Sequence, residues 1–167
     1  DACIAELVQK EKDNGLLAVT DGEFRRSFWH MDFLEALEGV KHVEVDHWSV
    51  EFKGDKPHGA TLTFTSQVRF PKDHPFLDHY RYLKSIAGEI DTKLTIPSPS
   101  MLHLIACVRS HSTYTPIDRY KDHEDVLFHD IAQTYIDAIH AFYNEGCRYI
   151  QLDDTSWGEF CDENKRA

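Results

Sequence analysis

Cysteine is scarce in this chain. Its four residues, at positions 3, 107, 147 and 161 of 167, are too few and too irregularly spaced for a disulfide framework, and none forms a Cys-x-x-Cys pair. A reducing, cytoplasmic compartment is the corresponding expectation. Positive charge is also short, with 18 Lys plus Arg against 29 Asp plus Glu and a formal net charge of −11. Nucleic acid is thereby disfavoured as a partner, because its binding rests on basic side chains neutralising phosphates, and an anionic membrane surface is disfavoured for the same reason. No apolar run approaches the roughly 20 residues of a spanning helix, and Asp1 to Glu6 lack the basic start and apolar stretch of a secretory signal. The chain reads as soluble. Low-complexity and Ser-rich linker segments are missing too, so one domain is expected. A start at Asp1 rather than Met, and an end in Glu163-Asn164-Lys165-Arg166-Ala167 without a natural stop, read as a piece of a longer protein.

What is present is 41% hydrophobic, and its order repeats. Ile4, Leu7, Val8 and Glu11 fall at helical spacing, Asn14-Gly15 supplies a left-handed stop, and Leu16-Leu17-Ala18-Val19 follows as a buried strand. Pro75 opens a second helix with Phe76, Leu77, Tyr80, Leu83 and Ala87 on its core face; Gly88 ends it and Thr92 to Ile96 form the next strand. A longer helix after Asp122 carries Leu127, Ile131, Tyr135, Ala138, Ile139 and Phe142, closes at Asn144-Glu145-Gly146, and leads into a strand over 147–152. Between the first and second units, Val43 to Phe52, with Trp48 and Val50, and Leu62, Phe64, Val68 and Phe70 alternate about a turn at 54–59. They predict an inserted antiparallel hairpin over about 43–70.

Helix followed by strand, written three times, means parallel strands with both sheet faces covered. The expected class is α/β, as a partial (β/α)8 TIM barrel rather than an open sheet, since no Gly-x-Gly-x-x-Gly turn follows any strand. About three βα units of the eight would lie in this one domain fragment. Chemistry then belongs at the strand ends, where Asp21 and Glu23, the Pro97 to Ser100 stretch, read as a loop because its prolines bar a continuing strand, and Asp153 and Asp154 stand. Glu23 and Asp153 are expected to share one mouth and to suit a cationic group or proton transfer; Asp21 and Asp154 read as caps or supports. Arg25 or Arg26 could anchor a substrate carboxylate through a bidentate fork while the other braces the acids. Trp157 is placed for a ligand. Phe24, Phe28, Trp29 and Phe33, at near-helical spacing, read as a core face. His103 with Cys107 is the nearest candidate metal pair and reads as structural, because no His-Glu-x-x-His or His-x-His spacing occurs.

Three blocks carry a resemblance: Val19-Thr20-Asp21-Gly22-Glu23-Phe24-Arg25-Arg26-Ser27-Phe28-Trp29, Leu94-Thr95-Ile96-Pro97-Ser98-Pro99-Ser100-Met101-Leu102-His103, and Tyr149-Ile150-Gln151-Leu152-Asp153-Asp154-Thr155-Ser156-Trp157-Gly158. In this order they resemble the cobalamin-independent methionine synthase family in its shorter, single-barrel branch. The resemblance implies a zinc-dependent methyltransferase that moves a methyl group to a thiol, usually homocysteine to give methionine, from a donor of the 5-methyltetrahydrofolate type. It implies that Glu23 and Asp153 grip the amino acid's ammonium group, that Ser98 lies beside the methyl donor, and that His103 stands where the long synthases have an aromatic residue near the folate. It puts the zinc ligands beyond residue 167, so no metal ligand and no residue acting directly on the reacting atoms is assigned here. Two readings compete: a barrel hydrolase using Glu23 and Asp153 as acid and base about 5 to 9.5 Å apart, and an incomplete, non-catalytic module with unpaired strand edges.

Overall fold

The computed structural model describes residues 1–45, 59–109 and 114–163. Helix α1 (Ala2–Asp13) buries Ile4 and Val8, and Lys10 and Lys12 in its last turn complement the negative end of the helix dipole. Gly15, at φ 75°, turns the chain into β1 (Ala18–Val19). This strand is shorter than the apolar run predicts. Leu17 is 91% exposed and Leu16 also faces out, because parallel pairing begins only at Ala18, opposite Asp91. After a loop and the single turn α2 (Met31–Leu34) come β2 (Glu38–Val45) and β3 (Gly59–Arg69), an antiparallel pair. The hairpin is thus present, but its first strand starts five residues earlier than Val43. Trp48, Val50, Phe52 and the expected turn lie outside the described residues.

Helix α3 (Pro75–Ala87) follows the sequence reading residue for residue in its buried face. His74 caps it: one ring nitrogen accepts from the Phe76 amide at 3.2 Å, and the other donates to the Phe33 carbonyl at 3.0 Å. Gly88, at φ 70°, then releases the chain into β4 (Asp91–Pro97). The prolines were expected to hold 97–100 as a loop. Pro97 instead ends the strand, and Pro99, a residue that fits the first turn of a helix, opens α4 (Pro99–His103), which widens into a π-type turn over Leu104–Val108. Helix α5 (Glu124–Asn144) buries Leu127, Ile131, Tyr135, Ala138 and Phe142, whereas Ile139, assigned to that stripe, faces outward. It returns the chain to β5 (Tyr149–Asp153), two residues later than the strand start expected at Cys147, itself buried. A 3-10 helix (Thr155–Cys161) follows.

The three parallel strands stand in the order β1-β4-β5. The antiparallel pair lies apart from them, and Leu62, Phe64 and Val68 pack it into the main core. Of the aromatic run, only Phe33 is fully core; Trp29 packs against the core edge, and Phe24 and Phe28 are exposed. Residues 24–28 do not continue as a helix, so their spacing puts them on no common face. No helix among the described residues is long and apolar enough to cross a membrane.

Candidate functional site

The loop after β1 is held from below and from within. Thr20 donates its amide and its hydroxyl to the Glu11 carboxylate, both at 2.9 Å, which ties the strand end to α1. The Asp21 carboxylate accepts from the Glu23 amide at 3.0 Å, an Asx turn, so Asp21 is a support as its position suggested. That turn holds Glu23 at φ 57°, a left-handed backbone that a non-glycine residue adopts only when its surroundings enforce it. Glu23 thereby faces a recess of about 270 Å³, walled also by Thr20, Asp21, Arg26, Lys93 and Thr95.

The two arginines part company. Arg26 is 3% exposed in its side chain and lies 3.2 Å from Glu23 Oε1. It donates to the carbonyls of Thr95 at 2.7 Å and Trp29 at 3.3 Å, and its guanidinium stacks 4.6 Å from the Phe76 ring centre. It is the brace. Arg25 turns the other way, pairing with Asp1 and lying over the Tyr82 ring. There it lines a separate, open cleft of about 730 Å³ with Asp32, Glu35, Lys41, His42 and His79.

Asp153 ends β5, opposite Pro97. It stands outside the residues that wall the recess, yet close enough for its charge to act on Glu23. Burial, first, pushes the Glu23 carboxyl above the usual range; Asp21 and Asp153 push the same way, and Arg26 and Lys93 oppose them. Glu23 and Asp153 thus lie toward the same end of the sheet, after β1 and at the end of β5. Ser98 is buried and joins the neighbouring strand ends: its amide donates to the Asp153 carbonyl at 2.8 Å, and its hydroxyl shares a hydrogen bond with Ser100 at 2.7 Å. Asp154 accepts from Ser100 at 2.6 Å and caps the 3-10 helix through Ser156. Burial alone would raise its carboxyl, but the hydrogen bonds from Ser100, Ser156 and Ser98 outweigh that and hold it low.

The structure does not join the remaining candidates to this cluster. His103 lies between α4 and α5, 3.5 Å from Glu124 and against the Phe128 ring. Cys107 is buried, its thiol pushed up to about 11 by burial, and Trp157 is 68% exposed and packs on Phe160. Among the described residues no three His, Cys, Asp or Glu side chains form a metal-binding group. Two members of the site escaped the sequence reading, Lys93 and Gln151. The Lys93 ammonium donates to Gln151 Oε1 at 3.1 Å, and Gln151 Nε2 donates to Asp153 Oδ1 at 2.7 Å. The available signal was polar residues at alternate positions, 93 and 95, 151 and 153, between the apolar Leu94, Ile96, Ile150 and Leu152.

Fold and site define an α/β protein in which the two parallel strands flanking β4 bring carboxylates to one C-terminal end. Known proteins of this kind resemble it. The chain is 44% identical over 163 residues to YxjH and 41% identical over 160 residues to YxjG, two uncharacterized proteins of Bacillus subtilis (strain 168). It is covered to 98% and 96% in these alignments but spans only 41% and 40% of those proteins. A crystal structure from Listeria monocytogenes, provisionally described as a vitamin-B12 independent methionine synthase, matches with a TM-score of 0.74 and 39% identity over 96% of this chain and 42% of that one. The B12-independent methionine synthase of Shewanella sp. W3-18-1, solved with selenomethionine, shares the fold at a TM-score of 0.62 and 20% identity, covering 98% of this chain and 47% of that one. No protein-family model matches the chain.

Proposed function

We propose that this chain is part of a (β/α)8 barrel of the cobalamin-independent methionine synthase family, and that it supplies the amino-acid side of a site that methylates a thiol, homocysteine foremost. The observation that carries the reading is the placement of Glu23, in the loop after β1, and Asp153, the last residue of β5, at the same end of the two parallel strands that flank β4. Each belongs to a sequence block that resembles the family, and the Listeria relative, at 39% identity, supports the same reading. A pair of carboxylates suits an ammonium group, since each charge-assisted bond is stronger than a neutral one. Arg26 keeps Glu23 aimed, and Ser98 fixes the spacing of the β4 and β5 ends, with the methyl donor proposed to lie beside it.

Barrel closure is supported by what β5 and α5 leave uncovered. Tyr149 and Leu152 on the strand, and Ile136, Ile139 and Tyr143 on the helix, are exposed apolar side chains that a further βα unit would bury. Zinc finds no ligand set among the described residues; its ligands are proposed to lie beyond residue 167. When bound it would favour the thiolate form of the acceptor. One observation favours the hydrolase reading: a carboxyl raised by burial, as Glu23 is, suits a general acid. Arg26 and Lys93 oppose that rise, and both favour a standing negative charge. The full-length protein, assayed with homocysteine and with methyl donors of the 5-methyltetrahydrofolate type and simpler ones that leave as their demethylated form, is expected to form methionine and to lose this on zinc removal. Zinc-independent activity, glycoside hydrolysis, or no thiol methylation with any donor would overturn the proposal.

A further inference from the structure

We propose that Lys93 and Gln151 are positioning residues for the amino-acid site: Lys93 fixes the orientation of the Gln151 amide, which holds Asp153 with one oxygen occupied and the other free for a ligand ammonium. The inference rests on the reading of Glu23 and Asp153 given above. Lys93 donates to Gln151 Oε1 at 3.1 Å, and Gln151 Nε2 donates to Asp153 Oδ1 at 2.7 Å. A glutamine amide has one accepting and one donating end. Reversed, it would set its protons against the ammonium and its oxygen against the carboxylate. Held between a cation and an anion, the amide has one stable orientation, and the side chain that sets it is Lys93.

Strand register makes this reach natural. Parallel pairing puts Lys93 opposite Tyr149, Thr95 opposite Gln151 and Pro97 opposite Asp153, so each contact climbs two residues, one step along the same face, toward the C-terminal end of the sheet. The charged groups facing Glu23 are Asp21 and Arg26 from its own loop, Lys93 from β4 and Asp153 from β5. Of the two cations, Arg26 is engaged by Glu23 and by two backbone carbonyls. Lys93 also lines the recess, so it serves both acids: through the amide it orients Asp153, and through space it favours the charged form of Glu23. Its loss would leave the Arg26 brace in place while letting Glu23 take up a proton at higher pH.

The test is calorimetry on the full-length protein across a pH series, with L-homocysteine and with 4-sulfanylbutanoate, which lacks the amino group. Lys93→Met is expected to weaken L-homocysteine by about tenfold, the scale of one charge-assisted bond. It should move the acidic limb of that affinity to higher pH and leave the amino-free thiol unchanged. Gln151→Leu, which cuts the relay without removing the cation, should weaken L-homocysteine and leave the limb in place, and Lys93→Arg should restore the limb. Gln151→Leu carries the test if Lys93→Met does not fold. Failure of the wild type to bind L-homocysteine would overturn the site reading and this inference together. Wild-type binding, with both variants within about twofold of it and no movement of the limb, would overturn this inference alone.

Discussion

At Glu23 the backbone decides what the side chain can do. Its left-handed φ of 57° is fixed by the Asp21 Asx turn, and the same turn sends consecutive arginines to opposite sides. The sequence pointed to Arg25 as the substrate's partner, and it is Arg26 that lines the recess; adjacent residues of one type carry no sign of which will be buried, and only the backbone turn separates them. Arg26→Met should therefore cost about 2 to 3 kcal/mol in denaturant unfolding, through two lost charge-assisted bonds to backbone carbonyls, and should weaken amino-acid binding. Arg25→Met, removing a surface pair with Asp1, should cost less than about 1 kcal/mol. Equal costs would contradict the division of labour. His74 offers a second residue-scale prediction. Burial lowers its pKa from 6.5 to about 4, so the folded protein holds it neutral while the unfolded chain protonates it. Its contribution is complete above pH 6.5 and is lost as pH falls toward about 4, and His30, lowered to about 4 also chiefly by burial, acts in the same direction. Urea midpoints should fall across that window, and His74→Asn, which keeps a capping side chain, should flatten the fall. An unchanged slope would remove His74 from the explanation.

The elements were legible wherever period and punctuation agreed. Helix α3 has a proline at its start, a glycine at its end and apolar residues at helical spacing, and its buried face is as read. Strand β1 was overestimated because Leu16 and Leu17 look apolar but have no partner strand to pair with. The turn into α4 was missed because proline ends strands and begins helices alike. The hairpin's attachment was invisible, since it depends on residues far apart in sequence. Asp130, 3% exposed, accepts from Gln67 on β3 and from Arg119 and Tyr120, while Tyr120 receives the Val68 amide. Arg119 chiefly, through its hydrogen bonds, holds the Asp130 carboxyl below the usual range. Asp130→Ala should destabilise by about 2 to 3 kcal/mol, because buried partners are left unpaired while Arg119 can turn to water. A loss under about 0.5 kcal/mol in chemical unfolding would show that the network does not anchor the hairpin.

Among the described residues, the sheet carries Glu23 and Asp153 toward one end and an exposed apolar flank along β5 and α5. Acids placed after apolar strands made the strand-end positions of Glu23 and Asp153 readable from sequence; the contacts of Lys93 and Gln151 were not, because polar residues at alternate strand positions look like a solvent-facing row until the strand order is known. If further βα units cover the flank, Leu152→Asp in the full-length protein should be strongly destabilising, by about 2 kcal/mol or more, although Leu152 is 43% exposed here. A cost near zero would argue against barrel closure. The most direct measurement is a double-mutant cycle on the full-length protein, with L-homocysteine affinity measured for wild type, Glu23→Gln, Asp153→Asn and the pair. Two carboxylates gripping one ammonium should each matter and be coupled by about 1 kcal/mol. Single variants that bind as the wild type does, or losses that simply add, would contradict it.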